Sequence, residues 1–206
     1  MKKIFATILI AASTHGAWAN GLESLETFVK SVSSGRADFS QVVTAPAKEG
    51  QSARSKTSSG TFEFSRPNRF KFIYKKPFEQ SIVADGQTLW LYDADLNQVT
   101  ARKFSAALGA TPAALLAGSA LDKDFDLAAQ PATGGLDWVL ATPKAKEGAF
   151  QSVRVGFKGK ELAAVEIVDS FSQRSLLQFG KFVANAALPE STFRFSVPPG
   201  ADVIEQ

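Results

Sequence analysis

The sequence predicts a mainly β fold, an antiparallel β-barrel of about eleven strands, closed or nearly closed, with helices as lid or plug over a hydrophobic interior. In the stretch Thr61–Thr100, apolar side chains recur at every second position, which is the period of a half-buried strand. Short apolar runs separated by turn residues continue as far as Val197. A segment rich in Ala and Leu interrupts this β pattern and predicts helices that need an apolar surface to cover.

Residues 1–19 have the features of a secretory signal peptide. Lys2 and Lys3 form a basic start, residues 4–12 are apolar, and Ala17-Trp18-Ala19 supplies the small residues of a cleavage site. Cleavage after Ala19 would leave residues 20–206 as one exported domain. No later apolar run has the length that a membrane-spanning helix needs, and the sequence contains no Cys for disulfides or for lipid attachment.

The composition excludes several classes of function. Without the two N-terminal lysines, 21 Lys and Arg residues balance 20 Asp and Glu residues, so the charge pattern typical of nucleic-acid binding is missing. The single His, His15, lies in the predicted signal peptide. The exported chain would therefore have neither His nor Cys, which excludes Ser-His-Asp and Cys-His nucleophiles and the common zinc sites.

We therefore expect no catalytic residue, no metal and no cofactor. The carboxylates of Asp93 and Asp95, and those of Asp122 and Asp124, leave open a hydrolase that uses paired acids. Their setting in short polar stretches favours turn and loop acids instead. A calcium loop would need further oxygen ligands at regular positions and a bidentate Glu, which this sequence lacks around Asp93.

The predicted elements begin with an amphipathic helix over residues 20–34, followed by Gly35 as a left-handed C-cap. The apolar residues of this helix are Leu22, Leu25, Phe28, Val29 and Val32. A strand is predicted over residues 36–43. The polar, Ser-rich residues 44–59 predict an exposed, mobile hairpin loop, with extension of the strand ends on either side left open.

Strands then alternate with turns at Arg66-Pro67-Asn68, Lys76-Pro77 and Asp85-Gly86. The predicted strands lie near residues 60–65, 69–75, 79–84, 87–92 and 98–102. Residues 104–118 predict two short helices, the second of which begins at Thr111-Pro112. The later strands are predicted over residues 125–131, 136–140, 153–157, 162–169, 175–183 and 193–197.

The predicted inward side chains are too large and too numerous for an exposed surface, and a barrel of this width is not filled by its own side chains. Either a helix plugs the interior or the interior is an apolar ligand cavity under a cover. The inward side chains are Phe62, Phe64, Phe70, Phe72, Tyr74, Leu89, Leu91, Leu136, Trp138, Leu140, Phe157, Phe193 and Phe195.

Several stretches in order along the chain resemble the outer-membrane lipoprotein carrier family, LolA. They are Arg66-Pro67-Asn68-Arg69-Phe70-Lys71-Phe72, residues 80–86, residues 89–93, Thr111-Pro112 with Leu115-Leu116, residues 138–144, Gln173-Arg174, Phe193-Arg194-Phe195 and Pro198-Pro199-Gly200. The resemblance implies an unclosed barrel with a helical lid over a hydrophobic cavity. The related receptor family, LolB, needs an N-terminal Cys for its lipid, so the absence of Cys favours the soluble carrier.

The resemblance also implies the partners and the compartment. A carrier of this family works in the periplasm, where it takes lipoproteins by their acyl chains from an inner-membrane ABC-type transporter. It delivers them to a lipid-anchored, LolB-like receptor on the outer membrane. We expect a monomer that acts as a chaperone and not as an enzyme. A periplasmic carrier or sensor of other amphiphiles, built on the same half-barrel, stays open as the alternative.

The resemblance assigns roles to individual residues as well. Arg66 matches the family's arginine that holds the lid when the cavity is closed. The lid is expected to contain Phe104, Leu108, Pro112, Ala113, Ala114, Leu115 and Leu116. The acyl-chain cavity is expected to be lined by Leu25, Phe28, Phe39, Phe62, Phe64, Phe70, Phe72, Tyr74, Leu89, Leu91, Trp138 and Leu140.

Overall fold

The computed structural model describes residues 21–47, 50–104, 116–118, 121–145 and 149–206. Within these residues, thirteen strands form one sheet. The strands are β1 (Ser34–Thr44), β2 (Ser55–Ser65), β3 (Arg69–Lys76), β4 (Gln80–Asp85), β5 (Thr88–Asp93), β6 (Gln98–Lys103), β7 (Phe125–Thr133), β8 (Leu136–Pro143), β9 (Phe150–Lys158), β10 (Glu161–Asp169), β11 (Arg174–Phe179), β12 (Val183–Ala184) and β13 (Asp202–Glu205).

Three helices have defined bounds in the described residues. The helix α1 (Gly21–Ser31) precedes the sheet, a short helix (Leu121–Asp124) precedes β7, and a 3₁₀ helix (Glu190–Phe193) follows β12. None of these described helices has the length and apolarity that crossing a bilayer requires. The predicted signal peptide, residues 1–19, and the predicted lid residues 105–115 lie outside the described residues.

The sheet is an unclosed barrel, as predicted. Its strand order is β13-β6-β5-β4-β3-β2-β1-β11-β10-β9-β8-β7, with β12 paired to β1 beside this path. In the described part of the chain, the two edge strands β13 and β7 pair with one neighbour each and not with each other. The pairing is antiparallel except between β13 and β6, which run parallel. The expectation of antiparallel strands alone was therefore wrong at this edge.

The inner face of the sheet packs against α1. The helix contacts β7, β8 and β9, and its side chains Leu25 and Phe28 are each 1% exposed. The ring centroid of Phe28 lies 6.0 Å from that of Phe64 and 5.7 Å from that of Phe157. Because Phe64 belongs to β2 and Phe157 to β9, α1 bridges both sides of the curved sheet. Burial of Phe28 contributes about 2–3 kcal/mol.

The outer face of β3–β6 is covered by the C-terminal segment. The 3₁₀ helix contacts β3 and β4, and its last residue, Phe193, is buried. The Phe195 ring stacks on Trp90 of β5 at 5.3 Å. The predicted strand over residues 193–197 is absent from the described chain, and the last strand is β13 instead. The alternation of Phe193 and Phe195 indicated a strand. In the structure these two side chains pack on the outer face of the sheet, while the backbone of residues 193–197 pairs with no strand.

One further local expectation was wrong, and one open alternative was decided. Gly35 lies inside β1 and does not cap α1. It is required for space, because a Cβ there would lie 2.4 Å from Cζ of Phe182. The loop predicted over residues 44–59 is shorter, since β1 continues to Thr44 and β2 begins at Ser55. Eleven cross-strand pairs join β1 and β2, and they carry polar Ser and Thr side chains into the ladder.

Candidate functional site

The inner face of β1–β3 is a continuous aromatic wall, which aliphatic side chains of β4 and β5 extend. The Phe62 ring stacks on Phe72 at 4.4 Å, and Phe39 meets Phe72 and Tyr74 edge-on at 5.5 and 5.1 Å. Phe62 and Phe64 are completely buried. Such ring pairs add about 0.5–1.5 kcal/mol each to the burial of their area. The wall is therefore packed against itself and against α1.

Ten of the twelve residues that were predicted to line a cavity come together on this inner face. They are Leu25, Phe28, Phe39, Phe62, Phe64, Phe70, Phe72, Tyr74, Leu89 and Leu91. Sequence reasoning missed Phe179, whose ring lies 5.5 Å from Phe62, and Phe182, whose ring lies 5.7 Å from Phe28. Phe179 shares the period of two with Leu177 in β11, so alternation carried a signal for it. That these side chains contact a ligand stays a prediction.

Trp138 and Leu140 were assigned to the wrong face. In β8 the residues that join the inner cluster are Val139 and Ala141. Trp138 pairs with Gly156 of β9, and a Cβ on that glycine would lie 2.9 Å from the indole ring. The Arg154 guanidinium lies 4.6 Å from the same ring on the outer surface. The largest side chain of β8 therefore points outward, and a change of one residue in phase reverses the whole strand.

Tyr74 carries a polar group at one end of the wall. Burial among aromatic rings raises the pKa of Tyr74 to about 12, so the phenol is neutral at physiological pH. It borders an open recess of about 520 Å³ between the ends of β1–β3 and the turns after β3 and β5. At the turn after β5, Asp93 Oδ1 accepts a hydrogen bond from the backbone N–H of Leu96 at 3.1 Å. Asp93 is thus a turn acid.

Arg66 lies in the turn between β2 and β3 and donates to main-chain carbonyls of two separate segments. Its Nη1 donates to the carbonyl oxygens of Phe28 and Val29, at 3.3 and 3.1 Å, and to that of Val32. Its Nη2 donates to the carbonyl oxygen of Leu116 at 2.8 Å. The first three acceptors are at the C-terminal end of α1, where the helix dipole favours a cation. The carbonyl oxygen of Phe28 also accepts the N–H of Val32 at 3.0 Å.

The surroundings of Arg66 are largely apolar. The guanidinium lies 5.2 Å from the ring centroid of Phe28 and 5.4 Å from that of Phe64. Burial lowers the pKa of Arg66 to about 10, which leaves it charged at neutral pH. In the same turn, the Asn68 N–H donates to the carbonyl oxygen of Ala117 at 3.0 Å. Sequence reasoning missed this second bond, because it involves the backbone alone.

The predicted lid is described only at its two ends. Phe104 and Leu116 are buried in the inner cluster, and the Phe104 ring lies 6.3 Å from Phe70. The other predicted lid residues lie outside the described residues; they are Leu108, Pro112, Ala113, Ala114 and Leu115. In the described ranges, no group of three or more His, Cys, Asp or Glu side chains has the arrangement of a metal site.

Curated relatives cover nearly the whole chain. An outer-membrane lipoprotein carrier protein of Albidiferax ferrireducens is 66% identical over 99% of this chain and 100% of its own length. The protein of the same name from Methylibium petroleiphilum is 58% identical over 98% of this chain and 96% of its length. That from Ralstonia nicotianae is 46% identical over 97% and 94%.

Solved structures support the fold. A conserved protein from Thermus thermophilus, 13% identical, covers 90% of this chain and 99% of its own with a TM-score of 0.52. A putative outer membrane lipoprotein-sorting protein domain from Vibrio parahaemolyticus, 10% identical, covers 84% and 94% with a TM-score of 0.51. The family described as outer membrane lipoprotein carrier protein LolA matches residues 30–196. Together with the relatives, this match shows that the chain belongs to the LolA family of outer membrane lipoprotein carrier proteins.

Proposed function

We propose that this protein carries lipoproteins by shielding their acyl chains against the inner aromatic wall. The observation that carries the proposal is the position of Arg66. Its guanidinium donates hydrogen bonds both to carbonyl oxygens of α1 and to the carbonyl oxygen of Leu116, at one end of the predicted lid. Membership of a family of lipoprotein carriers supplies the cargo class. The proposed acyl-chain site contains the ten inner-face residues named above, without Trp138 and Leu140.

The physical problem for such a carrier is release. Each acyl CH₂ removed from water yields about 0.8 kcal/mol, so complete burial of several chains would bind them almost irreversibly. A wall that packs against its own cover when empty recovers part of this energy on unloading. In this protein the wall residue Phe64, the helix residue Phe28 and the lid-end residue Leu116 are all buried together. In the closed, empty form, α1 and the lid end therefore occupy the wall and compete with the acyl chains for it.

Arg66 stabilises this closed form in the proposed mechanism. Hydrogen bonds to a charged donor contribute about 1.5–3 kcal/mol each when partly buried. Opening at Leu116 would break one such bond of Arg66 and leave its bonds to α1 in place. The arginine therefore keeps its helix partners while the lid moves, and the cost of opening stays small enough for loading.

The remaining parts of the proposal follow from the family and from the sequence. The family is periplasmic, and residues 1–19 are proposed as the signal peptide that would export a single domain, residues 20–206. The donor is proposed to be an inner-membrane ABC-type transporter and the acceptor a LolB-like receptor on the outer membrane. The carrier is proposed to act as a monomer, without catalysis.

Release of a lipoprotein from spheroplasts tests the carrier function. The protein, added outside the spheroplasts, is expected to bring a membrane-bound lipoprotein into a soluble one-to-one complex. Failure to release any lipoprotein, together with binding of free lipid, would instead favour a carrier or sensor of other amphiphiles.

An Arg66→Leu variant tests the lid latch. It is expected to load lipoprotein and to transfer it poorly to the receptor, because the closed, empty form has lost its charged donor. Arg69→Leu is the matched control, since Arg69 starts β3 and pairs with Glu190 at 3.1 Å on the outer side. Normal transfer by the Arg66 variant would refute the role of the latch.

A further inference from the structure

A second arginine, Arg102, lies on the inner face of the sheet. Cross-strand pairs run in one row from β2 to β6, in the order Phe64, Phe70, Ala84, Leu89 and Arg102. Directly paired residues point to the same face of a sheet. The first four members of the row are buried in the inner cluster, so Arg102 ends a row of apolar side chains. At about 4.8 Å per strand, the row spans about 19 Å.

The register of β6 supports this placement independently. Its other-phase residues Val99 and Ala101 pair with Tyr92 and Trp90, whose rings lie against Phe195 on the outer face. Arg102 must then point inward. Two residues on, in the same phase, Phe104 is buried beside Phe70.

Arg102 lacks the polar partners that Arg66 has. The Nε atoms of both arginines are withdrawn from solvent without a hydrogen-bond partner, but the Nη atoms of Arg66 donate to carbonyl oxygens, whereas Arg102 donates no hydrogen bond to any residue that the structure describes. In the same described ranges no carboxylate forms an ion pair with it. A half-buried charge without a partner is costly, because it loses hydration without compensation. A side chain in this state at the end of a row of apolar side chains is suited to a ligand that brings its own acceptor.

We propose that the Arg102 guanidinium binds the ester and amide carbonyl oxygens at the head of the cargo's acylated cysteine. This inference rests on the proposed carrier function. A guanidinium has five N–H donors and no acceptor, so it matches a cluster of neutral carbonyl oxygens. The acyl chains then extend from Arg102 along the row of Leu89, Ala84 and Phe70. The wall supplies affinity for the chains, and Arg102 supplies recognition of the head group.

The two arginines therefore have different acceptors. Arg66 donates to four carbonyl oxygens of its own chain, from α1 and Leu116, in the closed form. Arg102 donates to carbonyl oxygens of the cargo in the loaded form. Loading thus replaces a bond within the protein by a bond to the ligand, which lets the two forms have comparable free energies.

The test measures equilibrium binding of two probes to protein purified after expression of the full chain. One probe is a fluorescent synthetic lipopeptide with a triacylated cysteine, and the other is an apolar fluorescent dye without a carbonyl group. Arg102→Met is expected to weaken lipopeptide binding about tenfold, the loss of one charge-assisted hydrogen bond. Dye binding is expected to stay within about twofold, and Arg102→Lys is expected to recover part of the lipopeptide affinity.

Lys103→Met is the matched control, because Lys103 is the next residue in β6 and is exposed on the other face. It removes the same charge and is expected to leave both affinities unchanged. Equal lipopeptide affinity of the Arg102→Met and unchanged proteins would overturn the inference, and so would an equal loss of dye binding. Stronger dependence on Arg102 for a free long-chain fatty acid than for the lipopeptide would also overturn it. If the unchanged protein fails to bind the lipopeptide, the proposed function itself is wrong.

Discussion

The two faces of the sheet are covered by different kinds of contact. On the outer face, the C-terminal segment becomes part of the sheet: β13 pairs with β6 over four residues, and the N–H groups of Asp202 and Gln206 donate to the carbonyl oxygens of Asn97 and Ala101 at 3.0 and 2.9 Å. On the inner face, the described end of the lid is held to the turn after β2 by two hydrogen bonds. One comes from the side chain of Arg66 and one from the backbone of Asn68.

This difference separates a permanent cover from one that can open. A strand in a ladder opens only when several hydrogen bonds break together, whereas the described end of the lid, which two hydrogen bonds join to the turn after β2, opens at a smaller local cost. The outer cover protects Trp90, which belongs to the scaffold. The inner cover, through Phe104, lies against Phe70 of the wall that we propose as the cargo site. The cover that is held by fewer hydrogen bonds in the described residues therefore lies over the inner face, which has to be exposed for the cargo to bind.

The largest expected effect compares one buried Phe on each face of the sheet, Phe62 of the inner wall and Phe193 of the outer cover. Phe62→Ala and Phe193→Ala each remove a ring that is at most 1% exposed, so each is expected to lower the free energy of unfolding by about 3–5 kcal/mol. Only Phe62→Ala is expected to weaken lipopeptide binding, because only Phe62 lies on the inner wall. Urea unfolding and probe titration of both variants provide the measurement. A comparable loss of lipopeptide affinity in Phe193→Ala would break the comparison between the faces.

Hydrogen exchange measures the two covers in one protein. The Asn68 amide, bonded to the carbonyl of Ala117, is expected to exchange about 30-fold faster than the Asp202 amide of β13, bonded to that of Asn97. This ratio corresponds to about 2 kcal/mol less for opening the inner cover. Arg66→Leu is expected to accelerate exchange at Asn68 and to leave Asp202 unchanged. Acceleration at both amides would show that the covers open together.

How far the sequence predicts this molecule depends on the face. The inner wall of β2–β5 followed from strict alternation: Phe62, Phe64, Phe70 and Phe72 all lie inside. The same rule failed at Trp138. Alternation shows which residues share a face of a strand, but it does not show which of the two faces is the inner one. In β8 the larger set of side chains points outward, where Gly156 leaves space for the indole. That space is a property of the neighbouring strand, and only the cross-strand register reveals it.

The long-range contacts of the site followed from the sequence only in part. The family resemblance indicated Arg66, and the structure gives its acceptors in α1 and at Leu116. Asn68 and Arg102 had no comparable signal, since one acts through its backbone and the other resembles any polar residue of an alternating strand. The parallel strand β13 was also missed, because its partner β6 is about a hundred residues away in the chain. Its short, exposed segment has little pattern of its own.

A smaller effect is expected from the outer aromatic stack. Phe195→Ala removes the ring that stacks on Trp90 at 5.3 Å and leaves the β13–β6 ladder in place. We expect the free energy of unfolding to fall by about 1–2 kcal/mol, because a partly exposed ring loses less burial than a core ring. Tryptophan fluorescence should shift as Trp90 gains water, while lipopeptide affinity stays constant. A change in that affinity would indicate that the outer cover is coupled to the cargo site.

The smallest effect at neutral pH is expected for Tyr74→Phe, which leaves the inner wall apolar and in place. At pH 7 the substitution should lower the free energy of unfolding by less than about 0.5 kcal/mol, since the phenol is partly accessible to water.

At alkaline pH the Tyr74→Phe variant and the unchanged protein are expected to differ in stability. The pKa of Tyr74 is raised to about 12 by burial, whereas the unfolded chain loses this proton near pH 10. The folded state then binds more protons between these values, so the stability of the unchanged protein falls as the pH rises from 10 to 12. Tyr74→Phe should remove that part of the decline, measured as urea unfolding at pH 8 and pH 11. An identical decline in both proteins would place the Tyr74 phenol in water, and the aromatic wall would then be open at this end even in the empty form.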